Sequence, residues 1–115
     1  MVLSSDGHHA QVMRGVLDMC VLGCLVDSPS YGYELLQKLE EAGMPAGSEA
    51  SIYLVLKRLK KHDLVEAELV ASASGPARKV YRPTDLGRQV LTEWIDDWRT
   101  VNRGVETILA AHLPS

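Results

Sequence analysis

The stretch SEASIYLVLKRLKKHDLVEAELVASASGPARKVYR, residues 48–82, decides how the chain folds, because its apolar periodicity switches once, from helical to extended. Ser48 can accept hydrogen bonds from the free amides of a first helical turn, so it predicts a helix start. Behind it Ile52, Leu56 and Leu59 form one face of a helix running to about residue 62, while Tyr53, Lys57, Lys60 and Lys61 fall elsewhere. After Asp63 the run Leu64-Val65-Glu66-Ala67-Glu68-Leu69-Val70 partly alternates. Ser72-Ala73-Ser74-Gly75-Pro76 then supplies a turn, and Arg78-Lys79-Val80-Tyr81-Arg82 alternates again, which predicts a hairpin with a basic second strand. The stretch holds seven basic residues (Lys57, Arg58, Lys60, Lys61, Arg78, Lys79, Arg82) against four acidic ones (Glu49, Asp63, Glu66, Glu68), a surplus of +3 in a chain of formal net charge -3. A local basic patch suits contact with phosphates; a solvated helix face is the bland reading of the same charges.

Upstream, residues 1–9 are polar and without periodicity, which predicts a loose amino-terminal arm containing His8 and His9. From about residue 11 to 26, Val12, Val16, Leu17, Cys20, Cys24 and Leu25 recur at helical spacing, and Asp27-Ser28-Pro29-Ser30 breaks that helix, with serine or aspartate available to cap the next. Leu35, Leu36 and Leu39 mark a second helix over about 31–42, ended by Gly43 and Pro45, with Gly47 closing the loop. Downstream of Pro83 and Thr84, Leu91, Trp94, Trp98, Val101, Val105 and Ile108 follow one another at three- and four-residue steps, a heptad seam on a helix over about 85–112. Such a helix is about 40 Å long. A domain of 115 residues cannot cover it alone, so a second copy of the chain is expected to cover the rest.

The composition, 46% hydrophobic and 23% charged, is that of a folded soluble protein of one core. The apolar run over residues 16–26 contains Asp18 and Gly23 and is too short for a bilayer, so no membrane role is expected. Cys20 and Cys24 stand four apart in a helix, where a disulfide would oppose the geometry, which points to a reducing, cytoplasmic setting. With His8 or His9 they could hold a metal, but small residues on an apolar helix face read more simply as core, and no metal or cofactor is expected. His62 and His112 are isolated. No phosphate loop, nucleophile elbow or facing carboxylate pair occurs, so no reaction centre can be assembled.

The expected fold is mainly α with a small β-hairpin: a winged helix-turn-helix over residues 10–83, followed by a long dimerisation helix over residues 84–113. In such a fold the third helix enters the major groove of double-stranded DNA. Ser48, Ser51, Tyr53, Lys57, Arg58 and Lys61 on that helix, with Ser74, Arg78 and Lys79 on the hairpin, are the candidate DNA-contacting residues. Glu49 favours the helix dipole but repels phosphates, so it should turn aside or accept from a cytosine amino group. Tyr33 and Tyr81 are expected in the core and Tyr53 outside it. A winged-helix adaptor that binds other proteins without specific DNA binding is the competing reading.

The runs Arg14-Gly15-Val16-Leu17-Asp18, Tyr31-Gly32-Tyr33-Glu34-Leu35, Ser51-Ile52-Tyr53 with Lys57-Arg58-Leu59, and Gly75-Pro76-Ala77-Arg78-Lys79-Val80-Tyr81-Arg82-Pro83-Thr84-Asp85-Leu86-Gly87 resemble the PadR family of transcriptional regulators, in its short subgroup with a single tail helix. The resemblance implies a homodimeric winged-helix repressor, and the inverted-repeat operator expected of a two-fold dimer goes with it. It also implies that Trp98 lines a pocket for a small aromatic or drug-like effector between subunits. Plain interface packing is the other reading of Trp94 and Trp98. Two positions depart from the family pattern: Leu54 stands where a proline is usual, and Asp63 where a glycine commonly ends the third helix.

Overall fold

The computed structural model describes residues 5–44 and 47–112, with side chains from residue 12 onward. Its elements are α1 (Ser5–Asp27), α2 (Gly32–Glu41), α3 (Glu49–Lys61), β1 (Val65–Ser72), β2 (Gly75–Pro83) and α4 (Asp85–Leu109), the expected order. Helix α1 starts at Ser5, not near residue 11, so residues 5–9 of the expected arm are helical. Residues 1–4, Pro45 and the side chains of His8 and His9 lie outside what is described.

Helix α1 packs against α2, α3, α4 and β2, so its burial is set by several neighbours at once. Val21, Leu22 and Leu25 are fully buried, whereas Cys20 and Cys24 are only half-buried and Val12 is 53% exposed. The expected stripe through Val12, Val16 and Cys20 is therefore not the main core face. Periodicity finds a single-sided helix well, but cannot locate the core face of one enclosed on several sides.

Pro29 closes α1, and Ser30 crosses to the hairpin: its N–H donates to the Tyr81 carbonyl at 3.0 Å and its carbonyl accepts from the Tyr81 N–H at 2.8 Å. Ser30 thus adds a one-residue third strand to the antiparallel β1–β2 ladder. Its buried hydroxyl donates to the Ser28 carbonyl and accepts from Lys38 Nζ. Serine and aspartate were expected to cap α2, but the end is closed differently. Glu34 Oε1 reaches back to the Tyr31 N–H at 3.1 Å.

Both short helices end in the same arrangement. At α2, Met44 N–H bonds Leu39 O and Gly43 N–H bonds Glu40 O, with Gly43 at φ +83°. At α3, Leu64 N–H bonds Leu59 O and Asp63 N–H bonds Lys60 O, with Asp63 at φ +60°. The departure noted at residue 63 therefore sits in a left-handed turn that glycine would occupy without steric cost. Ile52, Val55, Leu56 and Leu59 of α3 enter the core with Leu35, Leu39, Leu64, Val65, Tyr81 and Leu91.

The hairpin is longer than expected, pairing Val65 with Pro83 through Ser72 with Gly75, with an irregularity between Val70 and Ser72 and a two-residue tip, Ala73 and Ser74. Thr84 joins it to α4. Its N–H donates to Leu64 O at 3.1 Å, its hydroxyl donates to Asp63 O at 2.6 Å, and that hydroxyl oxygen accepts from Gly87 N–H at 3.0 Å. A Cβ on Gly87 would lie 2.0 Å from Leu64 O, so only glycine lets the first turn of α4 rest against that carbonyl. No helix among the described residues is long and apolar enough to cross a membrane.

Candidate nucleic-acid interface

Ser48 caps α3 as expected, its hydroxyl accepting from Ser51 N–H at 3.3 Å. The buried stripe of α3 turns Tyr53, Lys57 and Lys61 outward; they stand one helical turn apart in succession and all are exposed. Arg78 and Lys79 on β2 are exposed as well. The hairpin brings them to the amino end of α3, where Tyr31, Tyr33, Glu49, Tyr53, Ala77, Arg78 and Lys79 line one open concavity of about 450 Å³. The Arg78 guanidinium lies over the Tyr31 ring, 4.5 Å from its centroid. That contact holds the cation between α2 and the hairpin.

Tyr53 reaches the concavity across Gly32, where a Cβ would stand 2.7 Å from its ring, so the glycine at the start of α2 makes room for the tyrosine of α3. Tyr81 is buried as expected, and burial pushes its phenol up from the ordinary value. Tyr33 is a correction: it is 48% exposed and lines the concavity. Its side chain is on the opposite face of α2 from Leu35 and Leu39, because an amphipathic helix can bury only one stripe. Glu49 lies at the concavity's edge in the first turn of α3.

Of the expected contacts, Arg58 and Ser74 join neither the concavity nor the Tyr53–Lys57–Lys61 row. Arg58 turns to α1, its Nη2 2.7 Å and Nε 3.1 Å from the two carboxylate oxygens of Asp18. That hydrogen bonding raises the guanidinium further above an already high value. Ser74 stands at the hairpin tip, and Arg82 pairs with Glu68 across the ladder. Sequence reasoning did not place Tyr31 beside Arg78 or Glu49 beside both; no local spacing signals either, because the partners come from different elements.

The tail seam divides. Leu91 belongs to the chain's own core, and Trp94 packs against that core while part of it stays open to the surface. Trp98 (43% exposed), Val101 (64%), Val105 (45%) and Ile108 (74%) are left uncovered. Between the amino-terminal half of α1 and the carboxy-terminal half of α4 lies an open groove of about 810 Å³, lined among others by Val12, Val16, Met19, Trp94, Trp98 and Val105. Cys20 and Cys24 are half-buried, and burial pushes both thiols up. No cluster of three or more metal-ligating side chains occurs among the described residues.

Comparison with known proteins agrees with this architecture. The model of the transcriptional regulator PadR-like family matches residues 21–93. The fold is similar to a PadR-like transcriptional regulator from Bacillus cereus, with 41% identity, a TM-score of 0.77, and coverage of 86% of this chain and 96% of that one. It is also similar to a PadR family transcriptional regulator from Eggerthella lenta, with 35% identity, a TM-score of 0.78, and coverage of 87% of each chain. An uncharacterized protein of Lysinibacillus sphaericus is 30% identical over 102 residues, 87% of this chain and 94% of its own. With the winged helix, the capped third helix and the Thr84–Gly87 junction in place, the chain belongs to the PadR-like family of transcriptional regulators, which are not enzymes.

Proposed function

We propose that the chain is a repressor that binds an inverted-repeat operator as a homodimer and is released by a small aromatic effector. The observation that carries this reading is the meeting of Tyr53 from α3 with Arg78 and Lys79 from β2 on one concave surface, beside outward Lys57 and Lys61. In this reading α3 enters the major groove, Ser48 and Ser51 bring the amide-rich helix end to a phosphate, and the hairpin with Ser74 at its tip grips the neighbouring backbone. Arg58 positions α3 on α1 through Asp18.

Residues 10–83 read the duplex and residues 84–113 pair the copies. The uncovered Trp98, Val101, Val105 and Ile108 support pairing, since an apolar line of this length is unfavourable in water. The α1–α4 groove supports an effector site, being of a volume ordinary for small ligands and walled by two tryptophans. Two α3 helices in a two-fold dimer would stand about 34 Å apart, one duplex turn.

Selection of bound duplexes from a random pool tests the reading, together with sedimentation of the free protein. An inverted repeat, affinity that falls steeply with salt, and a dimer at micromolar concentration are expected. A monomer, or duplex binding with no preferred sequence, refutes it and favours a protein-binding adaptor.

A further inference from the structure

Leu54 is 60% exposed in the middle of α3, a place where burial is available to every residue of the opposite face. At 3.6 residues per turn it lies ~150° from the centre of the stripe formed by Ile52, Val55, Leu56 and Leu59. Its neighbours on the outward face are exposed Ala50 one turn before, and Lys57 and Lys61 one and two turns after. Lys57 and Lys61, following Leu54 along the same side of the helix, suit phosphates beyond it, and the short Ala50 lets the helix approach the groove floor. Leu54 therefore occupies the part of α3 nearest the base edges when the helix is docked as proposed above.

A leucine side chain has neither donor nor acceptor. Placed over the edge of guanine, adenine or cytosine, it would strip water from polar atoms and return no hydrogen bond. In the major groove, the C5-methyl of thymine is the one apolar feature a base pair offers. We propose that Leu54 is a specificity-determining residue that reads the C5-methyl group of a thymine in each half of the operator. The inference rests on the operator-binding reading.

The test replaces thymine by deoxyuridine, which removes that methyl and keeps the pairing edge. The preferred duplex from the random pool is resynthesised with one thymine substituted at a time in each half-site, and binding is measured for the intact chain and for Leu54→Ala. Burial of one methyl predicts a loss of about fourfold per half-site, or about fifteenfold when both halves are substituted. The loss should fall at a single thymine position per half and vanish in Leu54→Ala, whose exposed site leaves folding untouched. Selection with Leu54→Ala should also lose the preference for thymine there.

If every thymine can be replaced without effect, or if Leu54→Ala keeps the same sensitivity, the inference is wrong while the operator reading stands. If the pool returns no preferred duplex at all, both fall together.

Discussion

Replacing Gly87 by alanine should unseat α4 from the winged-helix body. The added methyl carbon would lie 2.0 Å from Leu64 O, 3.0 Å from Leu64 C and 3.3 Å from Leu64 Cα, all backbone atoms. An ordinary contact needs about 3.5 Å, so the helix start and the strand entry must part by ~1.5 Å. Such a displacement belongs at the upper end of overpacking costs, about 3 kcal/mol. It also breaks the bond from Thr84 N–H to Leu64 O, worth about 1 kcal/mol, while alanine's helix preference returns about 1 kcal/mol. The net loss is about 3 kcal/mol, a fall in the urea midpoint of roughly 1.5 M at a slope of about 2 kcal/mol/M.

Unfolding should be followed at one fixed protein concentration, because pairing of chains would add to the measured stability. The comparator is Gly23→Ala in α1, where an added Cβ meets nothing within 4 Å. That variant should gain up to about 1 kcal/mol. Opposite signs for two glycine-to-alanine changes, both inside helices, separate close approach from helix propensity. A Gly87→Ala protein as stable as the parent would show that the junction is not packed as described.

Asp63→Gly should stabilise the chain by about 1 kcal/mol in the same assay, since Asp63 holds φ +60° and its carboxylate accepts no hydrogen bond among the described residues. Arg78→Ala and Lys79→Ala should each flatten the dependence of operator affinity on salt by about one unit of slope, read from binding isotherms at several salt concentrations. An unchanged slope would remove the hairpin from the phosphate contacts. Burial raises the Cys20 and Cys24 thiols in the folded state, so the neutral forms favour folding. This contribution is complete below the ordinary thiol value of about 8.5 and disappears as pH rises through the raised values. The urea midpoint should therefore drop less steeply in the alkaline range for Cys20→Ala/Cys24→Ala than for the parent.

The element order, the ends of α3 and the reach of the tail were legible in the chain because each rests on local chemistry: Ser48 as a cap, Pro29 as a stop, alternation about Ser74, and heptad steps from Leu91 onward. Local signals report what a segment does with its own backbone and which face it would rather bury. They do not report what arrives at that face. Only the tertiary structure turned Tyr33 outward, gave Arg58 to Asp18, laid Arg78 on Tyr31, and divided the tail seam between Leu91 and Trp94, which reach the chain's own core, and Trp98, Val101, Val105 and Ile108, which stay largely exposed. These outcomes depend on where separate elements cross in space, and residues far apart in sequence carry no record of that crossing in their spacing.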